Sequence, residues 1–254
     1  MKILHIGIVG AGVAGLCAAA GLARIGHRVQ VFDQFDTPAP VGSGLMIQPV
    51  GQSVLDIMGC LGRAKDLGAT INDMHGTVEK YPWPVLNVAY DPDGLTGETG
   101  LAMPRSALFQ VLMDAALAAG AQLQPGHTVT NLNIDINIPE KRRLTFENGK
   151  ESQSFDLVID AAGARSPISP ITAKPLKYGA LWGSVDWVDA PEIPATRLTQ
   201  RYLQAKHMAG VLPLGTPPGS DTPKAAVFWS MKRDDFQVWQ DAPIEDWLNM
   251  VNHI

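Results

Sequence analysis

From Ile3 to Asp33 the chain runs through five consecutive signals that leave few folds open to it. An apolar stretch, Ile3 to Val9, leads into Gly10-Ala11-Gly12-Val13-Ala14-Gly15. Leu16 to Arg24 follows, then a break at Gly26, a second apolar run from Arg28 to Phe32, and the acid Asp33. Strand, glycine turn, helix, strand and acid in that order describe a dinucleotide-binding βαβ unit. Gly10 permits the tight turn off the strand, Gly12 lets backbone approach a pyrophosphate, and Gly15 lets the helix pack closely on the sheet. The N–H groups and positive dipole end of the helix then face the phosphates. Asp33, about twenty residues beyond the glycines, stands where a carboxylate accepts hydrogen bonds from a ribose.

The same stretch has a rival reading. Ile6 to Ala23 carries no charge, Lys2 precedes it, and Ala18-Ala19-Ala20 imitates a small-residue cleavage site, as in a secretory signal or short membrane span. Five glycines within it make a poor membrane helix, and a signal leaves the acid after the second strand unexplained. The expectation is a retained N-terminus and a cytoplasmic protein, in keeping with only two cysteines, Cys17 and Cys60, in no metal-binding spacing. The 254 residues are 46% hydrophobic and 18% charged, the balance of an ordinary globular chain. With a net charge of −5 and no basic run, nucleic acid and anionic membrane are not expected partners, and no metal is expected.

Beyond Asp33, Thr37 to Gly44 reads as loop and Leu45 to Pro49 as a short apolar piece. Val54, Leu55, Met58 and Leu61 fall at helical spacing and predict one helix over Gly51–Leu67. Thr70 to Tyr90 is strand-like, with a turn at Tyr81-Pro82-Trp83-Pro84, and Asp91 to Gly100 reads as loop. A helix is predicted from near Pro104 to Gly120. Strand pieces follow at Ala121–Gln124 and Thr128–Leu132, and Asn148-Gly149 marks a hairpin. Asp156 to Asp160 has the apolar character of a buried parallel strand and runs into Ala161-Ala162-Gly163. After Pro167, Tyr178–Trp187, Leu198–Leu203, His207–Leu214 and Lys224–Met231 predict a mostly antiparallel sheet, closed by a helix over Ile244–Asn252.

Four motifs in this order resemble the FAD-dependent aromatic monooxygenases of the para-hydroxybenzoate hydroxylase type, the group A flavoprotein hydroxylases. They are Gly10 to Leu16 with Asp33, Gly42 to Pro49, Met103-Pro104-Arg105-Ser106-Ala107-Leu108, and Asp156 to Ser166. The resemblance covers nearly the whole chain. It implies an α/β, Rossmann-like FAD-binding domain over 1–70 and 100–170. Interleaved with it is an α+β substrate domain with a mostly antiparallel sheet, over 71–99 and 171–254. By position, Gly10, Gly12, Val13, Ala14 and Gly15 are expected at the pyrophosphate, Asp33 and Gln34 at the adenosine ribose, and the backbone of Val129 at the adenine. Arg105 is expected at the phosphate or ribitol region, where a planar cation suits an anion. Gly44 and Leu45 are expected near the flavin, and Ala162 and Gly163 lie in the second fingerprint. The implied reaction is hydroxylation of a small aromatic or related electron-rich substrate with NADPH or NADH and O2.

The chain departs from the family pattern twice. Ala162 stands where the second fingerprint carries an aspartate that contacts the cofactor and is linked to nicotinamide handling. The third fingerprint, a Gly-Asp pair before an alanine and a histidine, does not occur after Ser166. The chain is therefore expected to be a fragment, with a homodimer or a complementary C-terminal chain as possible assembly. Two further readings stay open: an FAD-dependent oxidoreductase that inserts no oxygen, and an inactive flavin-binding fragment acting as a partner. No catalytic residue is singled out. Tyr81, His75, Tyr202 and His207 are titratable groups of the substrate half, and Trp182, Trp187, Phe228 and Trp229 read either as core or as an aromatic pocket.

Overall fold

The computed structural model describes residues 2–39, 42–78, 81, 83–204 and 206–252. Pro40 and Val41 of the expected loop and Pro82 of the expected turn lie outside these residues. In chain order the elements are β1 (His5–Val9), α1 (Val13–Arg24), β2 (Arg28–Phe32), β3 (Gly44–Ile47), α2 (Pro49–Ile57), α3 (Leu61–Leu67), β4 (Ala69–Ile71), β5 (Asp73–Val78), β6 (Leu86–Ala89) and β7 (Gly100–Pro104). There follow α4 (Arg105–Ala118), β8 (Gln122–Gln124), β9 (Val129–Ile134), β10 (Arg142–Phe146), β11 (Leu157–Asp160), β12 (Tyr178–Asp186), β13 (Arg197–Leu203), β14 (His207–Gly215), β15 (Lys224–Lys232), α5 (Phe236–Asp241) and α6 (Ile244–Asn252). The chain divides into two compact units: Met1–Pro40 with Leu55–Leu61 and Leu108–Lys174, and Val41–Val54 with Gly62–Ala107 and Pro175–Ile254.

In the first unit a four-stranded parallel sheet has the order β11-β1-β2-β8. This is the Rossmann-like arrangement expected from the sequence. Ile6 and Ile8 are completely buried in the central strand. Helix α1 buries Gly15, Leu16, Ala19, Ala20 and Ala23, a stripe of mostly small side chains that allows close packing on the sheet. Beside the sheet, Val9, Phe32, Val129, Leu144, Phe146 and Phe155 form one apolar cluster with the β9–β10 hairpin. The Asn148-Gly149 turn closes as predicted: the Gly149 N–H donates to Phe146 O at 2.9 Å and the Lys150 N–H to Asn148 Oδ1 at 3.0 Å.

In the second unit a six-stranded sheet runs β12-β15-β14-β13-β5-β6, antiparallel except for the parallel β13–β5 pair. One face packs Leu198, Leu212, Leu214, Ala226 and Phe228 against Ile71 and Ala102. Those two residues lie on β4 and β7 of a small β3-β7-β4 antiparallel sheet. Trp229 lies fully buried and meets Trp247 of α6 edge-on, with centroids 6.1 Å apart. Gln52 of α2 is buried, and its amide donates to the carbonyl of Thr99 at 2.6 Å, tying the helix to the segment that enters β7.

Three local expectations are corrected. The single helix over Gly51–Leu67 is two helices. Gly59 takes φ +72, its N–H donates to Asp56 O at 2.8 Å, and the Cys60 N–H donates to Leu55 O at 3.0 Å. That is a Schellman ending, and it stops α2 although apolar spacing continues past it. The end of the expected loop, at Gly100, opens β7, whose five residues are all buried. A short apolar run closed by proline carries no period by which to recognise it. Helix α5, preceding α6, was not anticipated. Among the described residues no helix is long and apolar enough to cross a membrane.

Candidate functional site

The C-terminal edge of the parallel sheet holds a turn built almost entirely of backbone. Gly10 has φ +100, and its N–H donates to Phe32 O at 2.7 Å, so the chain leaves β1 pinned to the end of β2. A Cβ on Gly10 would lie 2.5 Å from the carbonyl oxygen of Ala161, and one on Gly15 would lie 1.9 Å from the carbonyl oxygen of Gly10. Neither contact is possible for a real side chain. Gly12 differs: its backbone is extended and nothing lies within 4 Å of its Cβ direction.

Gly12 is the N-cap of α1 and supplies no side-chain cap. The first intrahelical bond runs from the Leu16 N–H to Gly12 O at 2.9 Å. Helix geometry leaves the N–H groups of Val13, Ala14 and Gly15 outside that ladder, and Gly12, Val13 and Ala14 are exposed. An uncapped, twelve-residue helix end with open space over Gly12 has the chemistry of a phosphate site. The residues present fit the pyrophosphate of a dinucleotide.

Asp33 closes the other side. Its Oδ2 accepts the Ala11 N–H at 2.7 Å and its Oδ1 the Phe35 N–H at 3.0 Å. The carboxylate therefore fixes the turn while each oxygen retains acceptor capacity toward a hydroxyl. Its backbone is held as well, through Asp33 N–H to Gln124 O at 3.1 Å and His127 N–H to Asp33 O at 2.7 Å. The His127 ring meets Phe146 edge-on at 4.8 Å, anchoring this crossing on the apolar cluster. Gln34 is exposed next to it. Val129 is buried at the start of β9, paired with Phe146. Ala162 and Gly163 lie exposed just beyond β11, with Gly163 at φ +81.

Gly44, Leu45 and Arg105 belong to the second unit. Gly44 is buried where a Cβ would meet Leu214 at 2.3 Å, and Leu45 pairs with Met103. Arg105 begins α4 with its N–H donating to Ser43 O at 3.0 Å, and Gly42 runs against its side chain. Ser43 is tied to β12 by its hydroxyl, which donates to Gly183 O at 3.1 Å and lies 2.7 Å from Ser184 Oγ.

Three of the four titratable candidates of the substrate half have side-chain contacts of a structural kind. Tyr202 hydrogen-bonds Gln200, and burial pushes its phenol above the ordinary value. His207 lies 3.2 Å from Ser230 O and stacks on Trp229 at 4.9 Å. Tyr81 stacks on Trp83, both exposed, and His75 sits mid-strand opposite Thr199. Phe228 and Trp229 are core, whereas Trp182, 4.8 Å from Phe228, is 52% exposed. One residue that sequence reasoning passed over is Asp160, a second acid ending a strand beside the glycine turn.

The chain matches the model of a family described as an FAD binding domain over residues 4–247. It belongs to that family. Among curated relatives it is 33% identical over 174 residues to hispidin-3-hydroxylase of Neonothopanus nambi, covering 65% of this chain and 39% of that enzyme. It is 28% identical over 179 residues to the FAD-dependent monooxygenase opaC of Aspergillus ustus, covering 68% of this chain and 37% of the relative. The chain thus matches well under half the length of these curated relatives. Among solved structures, the tetrameric form of 2-methyl-3-hydroxypyridine-5-carboxylic acid oxygenase superposes with a TM-score of 0.72 at 17% identity, over 92% of this chain and 60% of that one. P. aeruginosa PqsL in complex with 2-aminobenzoylacetate gives 0.72 at 18% identity, over 93% and 63%. These likenesses show the fold of FAD-dependent hydroxylases, with its parallel sheet and its separate antiparallel one.

Proposed function

We propose that this FAD-binding chain serves an FAD-dependent monooxygenase that hydroxylates a small aromatic or related electron-rich substrate with NAD(P)H and O2. In this reading an FAD-binding domain over 1–70 and 100–170 holds the cofactor, and a substrate domain over 71–99 and 171–254 holds the substrate. The observation that carries it is the glycine turn with its uncapped helix end, in a chain whose family match runs from residue 4 to residue 247. The N–H groups of Val13, Ala14 and Gly15 would receive the pyrophosphate, with Gly10 and Gly12 giving it room. Asp33 would accept ribose hydroxyls with Gln34 beside it, and the Val129 backbone would meet adenine. Gly44, Leu45, Arg105, Ala162 and Gly163 keep the cofactor assignments that the resemblance implies. When bound, FAD supplies the redox chemistry of NAD(P)H oxidation and O2 activation, and the protein's part is to bind, orient and exclude water. We place the protein in the cytoplasm, with a homodimer or a complementary chain as its assembly.

Flavin binding is read by adding FAD to the purified chain and following absorbance and fluorescence quenching; no binding would overturn the proposal. NAD(P)H consumption is then compared with and without candidate phenols. Stimulated consumption with a hydroxylated product supports the monooxygenase. Ala162, in place of the family's aspartate, favours a second reading, an inactive flavin-binding chain that acts as a partner. Flavin binding with no NAD(P)H consumption, with or without phenols, would select it.

A further inference from the structure

Asp160 stands at an unusual place for a carboxylate. It ends β11, and the parallel pairing sets it opposite Val9, the last residue before the Gly10 turn. The next peptide continues the ladder, with the Ala161 N–H donating to Val9 O at 2.8 Å. From there Ala161 and Ala162 form the wall behind the turn. A Cβ on Gly10 would lie 2.5 Å from Ala161 O and 3.0 Å from Ala162 Cα, and one on Gly15 would lie 3.4 Å from Ala161 Cβ. The position of this wall therefore sets how tightly the glycine turn closes.

Both carboxylate oxygens of Asp160 are used to hold that wall. Oδ1 accepts the Ala162 N–H at 3.1 Å and Oδ2 accepts the Ser166 hydroxyl at 2.7 Å. Ser166 in turn donates its N–H to Gly163 O at 3.1 Å, and its hydroxyl oxygen accepts the Ile168 N–H at 3.3 Å. Residues 160–166 are closed into a loop on one side chain. A negative charge at this sheet edge would by itself repel a pyrophosphate, so its value there lies in its acceptors. Turning both of them inward on the loop satisfies the charge locally.

We propose that Asp160 is a positioning residue for the dinucleotide cradle, fixing the Ala161–Ala162 peptide against which Gly10 and Gly15 pack. The proposal rests on the FAD reading given above. It acts by pre-organisation: a wall already in place lowers the ordering cost when the phosphates bind. Because Asp160 is exposed, water competes for its hydrogen bonds and the effect is moderate rather than all-or-none.

The test measures FAD affinity by fluorescence titration on the full chain, with the melting temperature of the FAD-free protein in parallel. Asp160→Ala is expected to weaken FAD binding about tenfold, the size of one or two net hydrogen bonds. Asp160→Asn, which keeps an acceptor for the Ala162 N–H, is expected to stay within about threefold of the parent, and Ser166→Ala to fall between them. Amide exchange in the FAD-free chain reads the positioning directly: Asp160→Ala should speed exchange at Gly10 and at Ala162, with the β1 amides unchanged. Unaltered affinity and exchange in Asp160→Ala would overturn the proposal, and so would tighter binding, which would make the carboxylate a repelling charge. Should Asp160→Ala fail to fold, Ser166→Ala decides by the same two readouts. A parent chain that binds no FAD overturns the FAD reading instead, while the exchange result still judges the loop.

Discussion

The two units use close glycine contacts to opposite effect. At the edge of the parallel sheet, Gly10 and Gly15 bring backbone against backbone, and the next glycine in that turn, Gly12, faces open space. In the six-stranded sheet the missing Cβ is replaced by a neighbour's side chain. Phe228 Cζ lies 1.9 Å from where a Gly210 Cβ would be, and Tyr202 Cε2 lies 2.6 Å from that of Gly76. The first arrangement leaves N–H donors facing outward with room above them. The second fills its own space with ring carbon and is core. A glycine therefore marks a binding surface only where nothing in the fold occupies the room it makes.

That contrast is broken or sharpened by substitution, beginning with the largest effect. Gly15→Ala forces a methyl into the Gly10 carbonyl, 1.9 Å away, and should abolish measurable FAD binding while lowering the melting temperature. A variant that melts and binds like the parent would show that the turn can be rebuilt, and the close-packing argument would fail. Gly12→Ala comes next and separates ligand from fold. The backbone there is extended and the methyl meets nothing, so stability should hold while FAD affinity drops about tenfold or more, through crowding of the pyrophosphate. Gly210→Ala should do the reverse. It displaces Phe228 and should cost about 1–3 kcal/mol of stability in the second unit, with FAD affinity of the folded protein retained. Loss of FAD affinity without loss of stability would erase the distinction.

The smallest effect concerns acid stability. Asp135 is buried behind β9, and its carboxyl is held well below the usual range, first by the Ser154 hydroxyl, then by the Asn137 N–H and Arg143. A depressed carboxyl contributes stability that is fully present above its unfolded pKa, about 3.9, and is lost as the pH falls below that value toward the folded one. Asp135→Asn should therefore lower the melting temperature at pH 7 and flatten its decline as the pH falls below about 4. Identical slopes for parent and variant would remove Asp135 from the account.

Much of the first unit was legible because its signals are local. Strand, turn, helix and acid lie within thirty-odd residues, and the closest approach in the turn joins Gly15 to Gly10, five positions apart. The hairpin at Asn148-Gly149 was legible for the same reason. The break at Gly59 was not, since helical spacing from Val54 to Leu61 continues across it and only the backbone bonds to Asp56 and Leu55 reveal the stop. Strand β7 was missed because Gly-Leu-Ala-Met-Pro is short and buried on every residue, leaving no alternation to read. The titratable residues of the sheet gave no signal that separates a chemical role from a structural one, and the partners of Tyr202 and His207 are structural.

By itself the sequence determined the dinucleotide turn, the acid that closes it and the two classes of sheet, since each depends on backbone rules that act over a few residues. Only the tertiary structure decided which glycines face space and which face side chains. Only it brought Asp160, distant in sequence, beside Val9 and so behind the Gly10 turn. Parallel pairing joins strands that the chain order keeps far apart, and no local pattern carries the register of that pairing.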